Sequence, residues 1–156
     1  MNVRRILIDD SNPQHRELSI YRTGAVNRVR LQDETYKTYG TIELNAHDYA
    51  ALFHYGVTEA LNALTFISES GNGLDSWDEA FLPSSSLPSM RKIIRERMSA
   101  IPPGKQELIL LGWQDQPVGA AYLRKIETDR FVEFLASLVH FLDEASKAGD
   151  DLEFML

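Results

Sequence analysis

Between Thr128 and Ala148 the sequence carries one long amphipathic run, and few folds can accommodate it. Phe131, Phe134, Leu135, Leu138, Leu142 and Ala145 recur at the three- and four-residue spacing of a helix face, and Val132, Val139 and Phe141 widen the stripe. Thr128 is suited to cap the start of this helix and Gly149 to end it. So wide an apolar stripe must be covered over most of its girth. The helix is therefore expected at the centre of a core supplied by the rest of the chain. A chain of 156 residues is long enough for this, since such a domain buries roughly 68–70% of its unfolded surface.

Ahead of that helix much of the chain reads as strands. Residues 3–8 are expected to form a short buried strand. Leu18 to Arg22, Val26 to Leu31 and Thr35 to Leu44 follow as an antiparallel meander, turned at Thr23-Gly24-Ala25 and at Gln32-Asp33-Glu34. Asn45 is placed to cap a helix reaching Ser68, with Asp48 in its first turn. Tyr49, Phe53, Val57, Ala60, Leu61, Leu64 and Ile67 would form its core face. Gly56 inside that helix costs about 1 kcal/mol against Ala and suggests a close approach by a neighbouring element. A second helix is expected over Leu87–Ala100, with Ser86 as cap and Pro88 in the first turn. Glu107 to Gln114 and Val118 to Ile126 read as two further strands about Asp115-Gln116-Pro117. The expected fold is α+β: a mostly antiparallel sheet of five or six strands with three helices packed on one face. Residues 1–149 would form a single domain, followed by a short acidic-apolar tail over 150–156.

Charge narrows the classes of function. The net charge is −7, which disfavours nucleic acid as a partner, because its affinity depends on neutralising phosphates. The acid is also unevenly placed, since no Lys or Arg occurs between Lys37 and Arg91. Cysteine is absent, which excludes disulfides, thiolate metal sites and a cysteine nucleophile, and fits a reducing compartment. The opening apolar run, Ile6 to Ile8, is too short for a secretory signal, and no window has the apolar length of a membrane span. A cytoplasmic location is expected.

Motifs for chemistry are sparse. The first strand closed by Asp9-Asp10 resembles the start of response-regulator receiver domains, where an acidic pair helps to hold magnesium. The aspartate such a domain needs some 40 residues later is missing, as is its βα alternation. From Ser68 to Glu79 the spacing has an EF-hand-like register, but serine stands at its first and third positions where carboxylate or amide ligands belong. His47 and His54 share a helix face about 10 Å apart, too far to hold one metal. His15 and His140 are the other histidines, and His140 lies near Asp143 and Glu144. Arg91, Lys92, Arg95 and Arg97 read as the solvated face of a helix. No metal and no cofactor are expected.

The segment from Glu69 to Ser86 stands out as a long connection, rich in Ser, Gly and acid and carrying two aromatics. Glu69, Asp75, Asp78 and Glu79 around Trp77 and Phe81 have the chemistry of an aromatic anchor within an electronegative rim. Asp48 and Glu59 extend this cation-free region. These eight residues are the expected partner-binding set. The expected function is that of a small acidic protein-binding domain that masks a basic partner, as a bacterial immunity protein neutralising a toxin or a secretion chaperone does. Two alternatives remain open: a small hydrolase or transferase using a histidine with a distant carboxylate, and a structural or assembly subunit contacting through its tail.

Overall fold

The computed structural model describes residues 3–8, 17–23, 29–30, 36–37, 40–67 and 80–155. Nine strands lie among these residues: β1 (Arg4–Ile8), β2 (Leu18–Arg22), β3 (Val29–Arg30), β4 (Tyr36–Lys37), β5 (Thr41–Leu44), β6 (Phe81–Leu82), β7 (Gln106–Gln114), β8 (Ala120–Glu127) and β9 (Leu152–Met155). The helices are α1 (Ala46–His54), α2 (Val57–Leu61), α3 (Leu87–Ala100) and α4 (Thr128–Ala148). The class is α+β, as expected, but the strands divide between two main sheets. One has the order β5-β2-β9-β6 and is antiparallel throughout. The other has the order β1-β8-β7, with β1 parallel to β8 and β7 antiparallel to it. β3 and β4 pair as a separate ribbon.

α4 occupies the expected central place. Phe131, Leu135, Leu138, Leu142 and Ala145 are buried among Ile126 of β8, Met90 and Ile94 of α3 and Leu52 of α1, within one continuous core. Glu127, not Thr128, is the residue before its first turn. Thr128 is fully buried, and its hydroxyl accepts from the Lys105 N–H (3.0 Å) and donates to the Lys105 carbonyl (3.1 Å). Gly149 at φ +72° ends the helix as foreseen, with the Asp150 N–H returning to the Ala145 carbonyl at 2.9 Å.

The long helix after Asn45 is not continuous. Asn45 caps α1 as expected, its side chain accepting from the Asp48 N–H at 2.9 Å. Gly56 then adopts φ +71° and starts α2 in a new direction. A Cβ at Gly56 would lie 3.8 Å from the Arg97 guanidinium, an ordinary contact, so its left-handed backbone requires glycine and crowding does not. The redirected chain leaves Phe53 47% and Ile67 59% exposed, overturning their expected core role, while Val57 and Leu61 are buried.

Other expectations change as well. β1 is not buried: it is an edge strand, with Val3 and Leu7 facing outward. The meander is replaced by a long hairpin in which β2 pairs with β5, because Gly40 (φ +62°) divides the expected third strand into β4 and β5. Val29 pairs with Lys37 and Arg30 with Tyr36 in the β3/β4 ribbon, while the expected turn at Gln32-Asp33-Glu34 and most of that at Thr23-Gly24-Ala25 lie outside the described residues. Finally, the segment read as a tail carries β9, an inner strand whose Leu152 and Phe154 are fully buried. The end of the Glu69–Ser86 connection is likewise structured, as β6 and a 3₁₀ turn over Ser84–Ser86 leading into α3.

Candidate functional site

Pleating gives the β1-β8-β7 sheet two unlike faces. Ile109, Arg124 and Ile126 are buried on the face covered by α1 and α4. On the opposite face, cross-strand pairing brings Leu7 beside Leu123 and Leu123 beside Leu110, and Trp113 beside Ala121. A bulge between Leu110 and Gly112 sets Leu111 in an exposed position next to Leu110. Leu7, Leu108, Leu110, Leu111 and Trp113 are 45–62% exposed. The result is an apolar sheet face that no described helix covers. Lys125, partner of Leu108, and Arg5, partner of Ala121, stand on the same face.

β7 is also a free edge, since among the described residues no strand lies on its outer side. The Thr128 N–H donates to the Lys105 carbonyl at 3.0 Å, which sets the phase of the β7–β8 ladder. By antiparallel alternation, residues 107 and 109 exchange backbone bonds with β8, while Gln106, Leu108 and Leu110 direct N–H and C=O to the open side. There α1 forms the opposite wall of a groove of about 610 Å³, lined by Tyr49, Ala50, Phe53 and His54 against Leu108–Leu111.

A cluster of titratable groups closes one end of this groove. One carboxylate oxygen of Glu107, Oε2, accepts from the Tyr55 hydroxyl at 2.7 Å and lies 3.2 Å from His54 Nε2. The Tyr55 bond, followed by the His54 bond, holds the Glu107 carboxyl below its ordinary value of 4.5. Burial, together with the adjacent carboxylate, pushes the Tyr55 phenol well above its usual range. Tyr55 also stacks on Phe131 at 5.6 Å, so the cluster ties the end of α1 to both β7 and α4. A histidine beside a carboxylate is the arrangement general-base chemistry uses. Here both groups are spent on the tie, and no described hydroxyl nucleophile is bonded to His54.

The depressed carboxyl implies a pH dependence of definite sign. Glu107 is more acidic folded than unfolded, so the stability it contributes is present above the ordinary carboxylate value and lost as pH falls through the lower folded value. Wild type should lose melting temperature on acidification below pH 4.5 more steeply than Glu107→Gln. Equal slopes in thermal melts from pH 6 to pH 2 would show that the tie contributes nothing.

Of the partner-binding residues expected from sequence, three are described. Asp48 is buried, and its carboxylate is 3.0 Å from His47 Nδ1, so it faces the interior and not a rim. Glu59 is exposed on α2. Phe81 is half-buried in β6, paired with Glu153 and bridged to Ile67. Glu69, Asp75, Trp77, Asp78 and Glu79 lie outside the described residues, as does the EF-hand-like register. His47 and His54 differ in role despite sharing α1, one buried and one in the groove wall. Among the described residues no group of three or more His, Asp or Glu is arranged to hold a metal ion. Arg91 on α3 is committed to Asp143 of α4 at 2.7 Å. No described helix is long and apolar enough to cross a membrane. In comparisons with known proteins, the chain matches no protein family, no curated protein and no solved structure.

Proposed function

We propose that this chain is a cytoplasmic protein-binding domain, and that its partner docks on the exposed face of the β1-β8-β7 sheet. The observation that carries this reading is the set Leu7, Leu108, Leu110, Leu111 and Trp113, displayed together with large side chains in solvent. Contiguous apolar surface of this kind marks interaction sites on water-soluble domains. A Trp among leucines has the composition of an interface centre.

The net charge of −7 suits a partner with a basic surface, because opposite charge speeds encounter and excludes wrong partners. The apolar face, on which Arg5 and Lys125 also stand, supplies contact, and the excess of acid over the whole chain supplies long-range steering. A toxin-neutralising immunity protein or a secretion chaperone works in this way, by covering a basic protein until it is needed.

The test is capture from extract of the source cells at low and moderate salt, using wild type and the double variant Leu7→Lys, Trp113→Lys. Both positions are exposed, so the variant should melt like wild type. Wild type should retain a basic protein that is released as salt rises, and the variant should lose at least about tenfold of it. Equal capture by the folded variant would put the contact elsewhere. Capture of only acidic proteins would refute the masking role.

A further inference from the structure

The geometry points to the groove between α1 and β7 as a strand-addition site for an extended partner segment whose apolar residues are followed by a lysine or arginine. This goes beyond the sheet-face reading and does not depend on it: the two surfaces share Leu108, Leu110 and Leu111, but strand addition uses the backbone edge of β7 and neither Leu7 nor Trp113.

Three observations fix the chemistry of the occupant. First, Gln106, Leu108 and Leu110 present a regular row of outward N–H and C=O groups, which an extended backbone can pair in full. Natural edges are usually protected by proline, lysine, a bulge or shortness, and the bulge of β7 begins only after Leu110. β7 is nine residues long and has neither residue within it. Second, α1 supplies an apolar wall. A residue of the added strand opposite Ile109 would project on the inner face toward Tyr49 and Phe53, and residues opposite Leu108 and Leu110 would meet leucines on the outer face.

Third, the end of the groove offers a carboxylate, beside His54 and within electrostatic reach of Lys105. Glu107 commits Oε2 to Tyr55 and His54, while Oε1 carries no bond among the described residues. Because Glu107 exchanges its own backbone bonds with β8, its partner on an added antiparallel strand falls in a non-hydrogen-bonded pair. Cα atoms approach most closely there, at about 4.5 Å. A cation opposite Glu107 is favoured and a carboxylate is opposed. Antiparallel pairing sets the order. Read from its N-terminus, the segment meets Leu110, Ile109 and Leu108 with apolar residues and Glu107 with a basic one.

The experiment uses the whole chain and the synthetic peptide acetyl-Thr-Val-Ile-Val-Lys-Thr-amide, with affinity measured by calorimetry. In the stated register the second Val pairs with Leu108 and its N–H points at β7, whereas the Ile pairs with Ile109 and its N–H points away. N-methylation of that Val should weaken binding at least about tenfold, and N-methylation of the Ile should leave it unchanged. Replacing the peptide Lys with Glu should also weaken binding about tenfold, and Glu107→Gln should abolish that preference. The inference is overturned if the parent peptide shows no heat at millimolar concentration, if both N-methylated peptides bind alike, or if the Lys and Glu peptides bind wild type equally. Peptide binding should survive Leu7→Lys, Trp113→Lys. Undiminished protein capture by that variant, with the peptide still bound, sinks the sheet-face reading alone, and loss of capture by the variant together with no peptide binding to wild type sinks this inference alone.

Discussion

A chain ending at Gly149 should fail to fold. The seven residues it lacks include β9, which lies between β2 and β6 and bonds to both. Without β9 those two strands lose contact, and the four-stranded sheet becomes a β2–β5 hairpin beside a two-residue orphan. Leu152 and Phe154 leave the core together, and Phe154 takes with it an edge-to-face contact with Phe66 at 5.5 Å. Each truncation of such a side chain to alanine costs about 2–5 kcal/mol. A domain of this size is stable by only about 5–15 kcal/mol. Polar ties are lost as well. Asp150 holds the Arg22 guanidinium at 2.9 Å, and Asp151 accepts from the Ser84 N–H at 2.7 Å while its own N–H donates to Thr23. The truncated chain should show no cooperative melt by circular dichroism, and Phe154→Ala in the full chain should melt far below wild type. A truncated protein with wild-type cooperativity would mean that β9 is dispensable.

The second large effect is expected at His47, which is 2% exposed. Its Nε2 accepts the Glu127 N–H at 3.0 Å, so the ring proton lies on Nδ1 and is donated to Asp48 at 3.0 Å. One imidazole thus joins the start of α1 to the junction of β8 and α4. His47→Ala leaves a largely buried carboxylate and a backbone N–H without partners. Leaving a buried group without its hydrogen-bond partner costs about 1–3 kcal/mol, and more for a carboxylate. Asp48→Ala removes only the other end of the link, and the double variant should cost less than the sum of the single ones by about 1 kcal/mol or more. Denaturant melts of the three proteins measure this directly. Additive losses would show that the two side chains do not act as a unit.

Local rules made some of the fold readable. α3 falls on its expected bounds because Pro88 and Pro102 bracket a run with helical periodicity. α4 does so because its stripe is wide and Gly149 is free to turn left-handed. Periodicity cannot see a change of direction, so the apolar spacing from Tyr49 to Ile67 continued smoothly through Gly56, where the backbone turns away. Nor does a short apolar run reveal which strand it will join. Leu152-Glu153-Phe154 alternates like any half-buried strand, but its place between β2 and β6 depends on residues far away in sequence. The apolar surface on β7 was hidden for a related reason. Leu108 to Leu111 is a continuous apolar run, which suggests burial on both faces. Gly112 was the available signal, since glycine inside a strand often marks a bulge. Most of the acidic connection expected to bind a partner lies outside the described residues, and of its neighbours Asp48 was redirected by the pull of His47.

The position of β9 also orders events while the chain is being made. Ser19 pairs with Met155, and Arg22 with Leu152, so partners that lie side by side in the sheet leave the ribosome far apart in time. Pairings so distant in sequence raise contact order and slow folding, because a long loop must close before any bond repays it. The β7–β8 hairpin and α4 are local and can form earlier. Until β9 emerges, β2 and β6 each present an unpaired edge to the crowded cell, the kind of surface on which nascent chains aggregate and chaperones act. Expression at low temperature, or with chaperones in excess, should therefore raise the yield of folded protein more than any substitution on its finished surface.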